Sequence, residues 1–324
     1  MHRRHFIKAV FVSSTPACAW ASNQARGELP RDIKLIATGA PAGGPDVVAR
    51  SIAEHLEARH GFSVQVLNQP QVNGERALAQ FRELAADGRH WLLAHDSALV
   101  INPSVYPRAD KNPLAGLAPV AQVGSNSFFL LVKADDPIDS VAELVRQARA
   151  AAEPLHYGSG GVGSMHHLAM EDLAARLKLR LDHVPYKSGG EASLALARGD
   201  LRVLFAGASA LTLVKAGKLR LLAVASPQRS PRFPGVPSLS EVLPGFKGTA
   251  WFAWFGREGT SPAMLAEMNA LVLDAMSSDE TRRALESRGG VSPTFQPADS
   301  LRSLVEEEHR RFAALISRLP GVRP

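Results

Sequence analysis

Two stretches of this chain set a run of glycines directly before a helix start, and the chemistry that suits them is the capture of a small anion. Gly39-Ala40-Pro41-Ala42-Gly43-Gly44-Pro45 follows an apolar run at 33–37 and precedes a helical pattern opened by Asp46. Gly158-Ser159-Gly160-Gly161-Val162-Gly163-Ser164 follows a second run at 155–157 and precedes a helical pattern over 166–177. Such a turn presents backbone N–H groups at the positive end of a helix dipole. In an open parallel sheet both turns lie at the carboxyl ends of the strands, where ligands enter. A single glycine turn is most simply a turn. Two in matched positions, facing each other across a cleft, suit a dianion with one carboxylate held by each. Neither loop contains arginine or lysine, so the donors would be backbone groups at helix starts rather than a guanidinium fork.

Other chemistry is sparse. Gly158 to Gly163 satisfies G-x-G-x-x-G, and Asp182 follows at a distance that could serve a ribose hydroxyl, so a nicotinamide-dependent oxidoreductase exported with its cofactor is the alternative. Against it, His183-Val184-Pro185 extends the strand past Asp182. His167 and Glu171 stand i, i+4 on one helix beside His166, but no third metal ligand has a recognisable spacing. His95-Asp96-Ser97 cannot form a triad, because neighbours on an extended chain point apart; His95, Asp96 and Ser97 are expected as polar groups lining the cleft. There is no G-x-S-x-G elbow and no Walker loop.

The elements that must carry these loops read as an α/β chain. A helix is expected from Asp46, with Val47, Val48, Ile52 and Leu56 on its stripe and Gly61 at its stop. A strand at 64–67 with Gln65 outward, a helix at 78–86 and a strand at 91–94 follow. After the second glycine loop come strands at 179–184 and 202–205 with a helix at 191–198 between them. Strands separated by helices imply parallel sheets with crossovers. The plan occurs twice, which predicts two similar domains. Apolar stretches at 120–132 and 249–255 flank the second block and could each pass from one domain into the other. Helices are expected at 262–276, 279–288 and from Ala298. A second domain at 123–252, inserted into a first made of 22–122 and 253–324, satisfies this order.

Composition bounds the rest. About 300 mature residues make one large or two medium domains. Arg3-Arg4-His5-Phe6-Ile7-Lys8, a weakly apolar run at 9–12 and Ala19-Trp20-Ala21 form an export signal of twin-arginine type, with the mature chain starting near Ser22. The apolar run falls well short of the roughly 20 residues that span a bilayer. Residues 1–21 are therefore expected to be a signal peptide and the protein to work in the periplasm. Loss of Arg3, Arg4 and Lys8 lowers the formal charge from +6 to +3, and the basic residues are scattered, so no nucleic-acid partner is expected. The one cysteine, Cys18, lies in the leader, so the mature chain has no disulfide, thiolate nucleophile or cysteine metal ligand. Thr15-Pro16-Ala17-Cys18 is a poor lipidation site, with Thr15 where a leucine-like residue is expected.

Together these residues resemble a known family. Lys34-Leu35-Ile36, the Pro-Ala-Gly-Gly-Pro loop at 41–45 and Asp46-Val47-Val48-Ala49-Arg50 are similar to the opening of the tripartite tricarboxylate transporter receptors, the Bug family. The likeness continues through Ile101-Asn102-Pro103-Ser104-Val105-Tyr106, the stretch 163–168, Val184-Pro185-Tyr186-Lys187 and Lys215-Ala216-Gly217-Lys218-Leu219-Arg220. Arg229-Ser230-Pro231, Val236-Pro237-Ser238 and Thr249-Ala250-Trp251-Phe252 complete it. The resemblance implies a two-domain Venus-flytrap receptor of type II topology, with two crossing strands and the ligand cleft between the domains. It implies capture of a small organic acid with no reaction and no cofactor, and delivery by a monomer to membrane transporter subunits, or to a sensor if the transporter has been lost. One carboxylate would be held by Gly39, Ala40, Pro41, Ala42, Gly43 and Gly44, with Asp46 at the helix start. Ser159, Gly160, Gly163, Ser164 and His166 would hold the far end, Ser164 in the usual hydroxyl position, and Tyr186 and Ala206 complete the expected site. Three departures stand out. The glycine pair is one residue closer to Asp46 than usual, Met165-His166 replaces Pro-Ser, and Ala206 replaces an acidic residue. The last predicts an acid without an amino group.

Overall fold

The central strands are apolar on both faces, as strands covered by helices on each side require. The computed structural model describes residues 28–106, 109–230, 232–319 and 322; the expected signal peptide at 1–21, with Cys18, lies outside the described residues. The chain opens with β1 (Asp32–Ala37), α1 (Gly44–His60), β2 (Ser63–Asn68), α2 (Glu75–Arg82) and β3 (His90–His95). A wide π turn (Ser97–Ile101) and the short α3 (Asn102–Val105) lead to β4 (Leu117–Ser127) and β5 (Phe129–Lys133). Next come α4 (Val141–Ala150), β6 (Leu155–Ser159), α5 (Met165–Leu177), β7 (Leu181–Pro185), α6 (Gly189–Arg198) and β8 (Val203–Ala206). They are followed by α7 (Leu211–Lys215), β9 (Leu219–Val224) and α8 (Leu239–Val242). The chain closes with β10 (Thr249–Arg257), α9 (Pro262–Ser277), α10 (Asp279–Ala284), β11 (Gln296–Pro297) and α11 (Ala298–Ile316).

These strands form two sheets, of order β11-β4-β10-β3-β1-β2 and β7-β6-β8-β5-β9. Within the first, β1 pairs in parallel with β2 and β3, while β10 is antiparallel to β3 and β4. Within the second, β6 pairs in parallel with β7 and β8, while β5 is antiparallel to β8 and β9. Each sheet thus has a parallel part, whose crossovers are the helices read from the sequence, and an antiparallel part built by the crossing segments. α1 starts at Gly44, has its stripe of Val48, Ile52 and Leu56 buried, and stops at Gly61, which takes the left-handed φ of 67° that glycine alone adopts without strain.

The stretch expected as one strand over 120–132 is two. It breaks at Phe128, with β4 in the first sheet and β5 in the second. The return stretch at 249–255 stays wholly within β10, and the chain has already crossed before Thr249. Both crossings are stitched together: the Phe128 N–H donates to Gly248 O at 3.1 Å, its carbonyl accepts the Ala225 N–H at 2.8 Å, and the Gly248 N–H donates to Ala225 O at 2.9 Å. The expected helix over 279–288 is α10 followed by a widened π turn (Leu285–Gly289).

The first sheet packs Leu35, Trp91, Leu93 and Trp254 against Ile52 and Leu56 of α1 and Met268 and Val272 of α9. Its other face turns Ile36, Leu92 and Phe255 toward Phe81, Val305 and Phe312. This is the period of two that alternation requires. That second cluster continues into the other domain through Phe128, Leu130, Tyr157 and Phe205, so the two halves share apolar packing at the crossings. Trp254 is wholly buried between β3 and β4. Trp254→Ala should lower unfolding free energy by about 3–5 kcal/mol, read from urea denaturation, with the m-value unchanged.

Candidate functional site

The first glycine loop is shaped by the carboxylate that ends it. Asp46, buried in the first turn of α1, folds back so that Oδ2 accepts the Ala42 N–H and Oδ1 accepts Arg50 Nε, both at 2.9 Å. That grip holds Ala42 at φ 60°, a left-handed conformation uncommon for an alanine. The Gly43 N–H donates to Ala40 O at 3.0 Å, which closes the turn. Close approach explains the glycines themselves. A Cβ at Gly39 would stand 2.6 Å from Pro45 Cγ, and one at Gly44 would stand 2.6 Å from Phe252 Cζ. The N–H groups of Gly44 and Asp46 have no intrahelical acceptor by the geometry of a helix start, and Pro45 has no N–H to satisfy.

The second loop rests on a stack of rings. His167 and His183 lie with centroids 4.0 Å apart and Tyr157 lies 4.9 Å from His183, while the Tyr157 hydroxyl donates to Glu171. His167 Nδ1 accepts the Gly163 N–H at 3.1 Å. His183 Nε2 meets Ser159 Oγ at 2.6 Å, and Ser159 Oγ in turn accepts the Gly161 N–H at 3.0 Å. Burial lowers the pKa of His167 to about 3 and that of His183 to about 4, so both are neutral and His167 keeps an acceptor nitrogen for Gly163. The i, i+4 pair, which lacked a third metal ligand in the sequence, is structural: His167 holds the loop and Glu171 holds Tyr157. Ser164 caps α5, its oxygen accepting the His167 N–H at 3.3 Å. His166 packs on Phe128 at 4.4 Å between centroids, beside Gly160 and the start of α6 at Gly189. Tyr186 is half-buried, and its N–H donates to Ser159 O at 3.0 Å.

Asn73 joins the two domains. Val72, Asn73 and Gly74 are successive left-handed residues at φ 52°, 51° and 80°. For a β-branched valine this is a strained conformation. It aims the Asn73 amide at three elements: Nδ2 donates to Asn102 Oδ1 at 2.8 Å and to Gly163 O of the second loop at 3.4 Å, and Oδ1 faces His95 Nε2 at 3.2 Å. His95 in turn meets Thr38 Oγ1, at the end of β1, through Nδ1 at 2.5 Å. Tyr106 adds a second tie, its hydroxyl donating to Val162 O at 3.0 Å. His95 and His166 both have pKa values lowered to about 4 by burial, with His166 of the opposite domain adding to the effect on His95. Sequence reading placed His95 among the polar groups of the cleft but missed Asn73, Asn102 and Tyr106 as the residues that tie the domains. The Asn-Gly pair at 73–74 is the signal that marks left-handed backbone there.

Besides Asp46, Ser159 and Ser164, which are buried within or at the ends of the loops, three further expected site residues lie behind the surface. Asp96 and Ser97 are buried at the end of β3, where Asp96 accepts the Ser97 N–H at 2.6 Å and the Trp251 N–H at 3.3 Å, tying β3 to β10. Burial raises the Asp96 pKa to about 7 against those bonds. Ala206 is wholly buried at the end of β8, in the cluster of Leu131, Ala192 and Leu196. On β4 and β10, Gln122 Oε1, Asn126 Oδ1, Trp251 Nε1 and Trp254 Nε1 are buried without a partner among the described residues. Asp182 is far from the loop it would have served: it pairs with His156 near the start of β7, whereas Pro185 is the residue level with Ser159. The nucleotide fingerprint thus lacks its acidic partner.

A glycine loop at each of two sheets' carboxyl ends, with a doubly crossed connection between them, defines a periplasmic-binding-protein fold of two domains. The description of the tripartite tricarboxylate transporter family receptors (TctC) matches residues 48–320, and the chain belongs to that family. The protein BugT of Bordetella pertussis is 30% identical over 289 residues, covering 88% of each chain. A Rhodopseudomonas palustris protein solved with adipate superposes with a TM-score of 0.82 at 25% identity, over 90% of this chain and 98% of its own. MatC from the same organism, solved with bound malate, gives 0.79 at 25% identity, over 88% of this chain and 98% of its own. The family is one of solute-binding receptors, not enzymes, so the oxidoreductase alternative falls. Such receptors belong to the periplasm, and among the described residues no helix is long and apolar enough to cross a membrane.

Two outcomes follow from this geometry. Removing the amide that reaches Gly163, in Asn73→Ala, should loosen the domains and enlarge the radius of gyration of the ligand-free protein in small-angle scattering; an unchanged curve would count against the tie. Stability should also fall with pH. A histidine whose native pKa is depressed binds its proton more readily when unfolded, so its contribution is full above 6.5 and is lost as pH drops toward 4. Asp96, raised from 3.8 to about 7, acts in the opposite sense over the same range, but one carboxyl is set against four imidazoles. Unfolding free energy from urea titrations should therefore drop by more than about 1 kcal/mol between pH 7 and pH 5.

Proposed function

We propose that this receptor captures a small organic acid between its two glycine loops and closes on it without chemistry. The observation that carries the reading is the matched pair of helix starts, at Gly44 and Met165, each preceded by a glycine turn held open by buried side chains. The solved relatives with adipate and malate support a compact carboxylate as ligand. In this reading one carboxylate lies against Gly39, Ala40, Pro41, Ala42, Gly43 and Gly44, with Asp46 fixing the loop from behind. Ser159, Gly160, Gly163, Ser164, His166 and Tyr186 receive the other end. The Ser164 hydroxyl hydrogen is free to donate while its oxygen caps the helix. Asp96, Ser97 and Ala206 form the floor.

Ala206 favours an acid without an amino group. No carboxylate stands at this position to pair with an ammonium, and none repels the bound anion. The receptor acts as a monomer, is exported through its twin-arginine leader and hands its ligand to the membrane subunits of a tripartite transporter. Its domains divide at the crossings near Phe128 and Gly248, so the boundaries expected at 122/123 and 252/253 fall a few residues inside the first-domain strands β4 and β10.

Thermal-shift screening of the mature protein tests this. Adipate or malate should raise the unfolding midpoint, with a gain of about 2.7 kcal/mol at a hundredfold excess over Kd, and an amino-substituted analogue should do less. Stabilisation by cations or neutral sugars alone would overturn the reading. Gly44→Val places a side chain against Phe252 and should abolish the shift in a protein that still folds; an unchanged shift would mean that the loop is only a turn.

A further inference from the structure

The first domain carries a cluster of metal-ligand side chains that neither glycine loop uses. His55 and His60 lie near the end of α1, and Asp274 lies on α9, which packs beside it. His55 Nε2 stands 2.7 Å, and His60 Nε2 2.9 Å, from one and the same oxygen, Asp274 Oδ2. The three donor atoms lie within 4.8 Å of one another and the ring centroids are 5.8 Å apart. Five residues apart, the two histidines point about 140° from each other around an ideal helix. Their convergence on one atom is therefore made by Asp274, which sits between them.

We propose that His55, His60 and Asp274 form a binding site for a divalent transition-metal ion of the zinc class. Two imidazole nitrogens and a carboxylate oxygen are the donors that such ions prefer over magnesium or calcium. In a tetrahedral zinc site with bonds near 2.0–2.1 Å, donor atoms stand about 3.3 Å apart. The two hydrogen-bonded contacts need open by only about half an ångström to admit the ion. Charge agrees: the Asp274 carboxylate and the carbonyl end of the 17-residue α1, with its negative pole, both favour a cation here. Exposure agrees too. His55 has only 8% of its side chain accessible, which fixes one ligand, while His60 at 30% and Asp274 at 53% leave a side open for the ion to enter and for water to complete the shell. As ion pairs alone, groups so exposed contribute little to stability.

A bound ion would pin the last turns of α1 to α9. The start of the same helix supplies donors to the first glycine loop, about 20 Å away along its axis. The site is thus separate from the cleft and mechanically connected to it.

Isothermal titration of tag-free protein with zinc chloride, and with magnesium chloride as the contrast, tests the proposal. One zinc per chain and a raised unfolding midpoint are expected, with no response to magnesium. Asp274→Asn, which preserves size and fold, and His60→Ala should each weaken zinc binding at least tenfold. His156→Ala, which removes an exposed imidazole in the other domain, should leave it unchanged. Absence of stoichiometric zinc binding, or equal affinity in Asp274→Asn, would overturn the assignment, and so would loss of binding in His156→Ala.

Discussion

The structure depends on one constraint: a chain that passes twice between two sheets must satisfy its backbone at the crossing without the ladder of either sheet. Phe128, Ala225 and Gly248 do this by bonding to one another, so the two connections form a single short strip of paired backbone. Gly248 permits the approach, since a Cβ there would stand 2.7 Å from the Ala225 Cβ. Phe128 also presents its ring to His166 of the second loop. The strip that joins the domains is thus in contact with the second glycine loop, so a change in domain angle is felt at that loop.

Around that strip, the loops are held by buried polar groups. The Asp46 side chain accepts from Ala42 and Arg50. His167 must be neutral to accept from Gly163, and burial keeps it so. Burial of polar groups without partners is costly, and here nearly every one beneath the loops has a partner. Asn126 Oδ1 and Trp251 Nε1, with Gln122 Oε1 and Trp254 Nε1, are exceptions on the strands β4 and β10. The strained backbone at Val72 and Asn73 belongs to the same economy: a left-handed valine persists because the amide beside it satisfies three elements at once.

Family membership fixes the class of function but not its detail. A glycine loop between strand and helix serves nucleotides in one fold and carboxylates in another, because the donors are the same backbone groups. What separates the two here is Asp182, which lies level with His156 rather than with Ser159 and so cannot sit beside a ribose at the loop.

Much of the fold was legible in the sequence because its cues are local. Apolar alternation placed the strands, the 3.6-residue stripe and Gly61 placed α1, and the repeated order of strand, glycine loop and helix announced two α/β domains and the helix starts of the site. The leader at 1–21 is a reading of residue types alone and lies outside the described residues. Only the tertiary structure decided the rest. It broke the apolar stretch at Phe128, since continuous hydrophobicity does not say to which sheet each half belongs. It buried Asp96, Ser97 and Ala206, which in sequence look like site residues, because burial depends on neighbours remote in the chain. It also brought Asn73 to Gly163 and His95 to His166, contacts of a single amide and a single ring that leave no periodic trace. Local propensity and pattern can be read from neighbours in sequence; the partner of an individual polar atom is set by packing between distant elements, and no spacing encodes it.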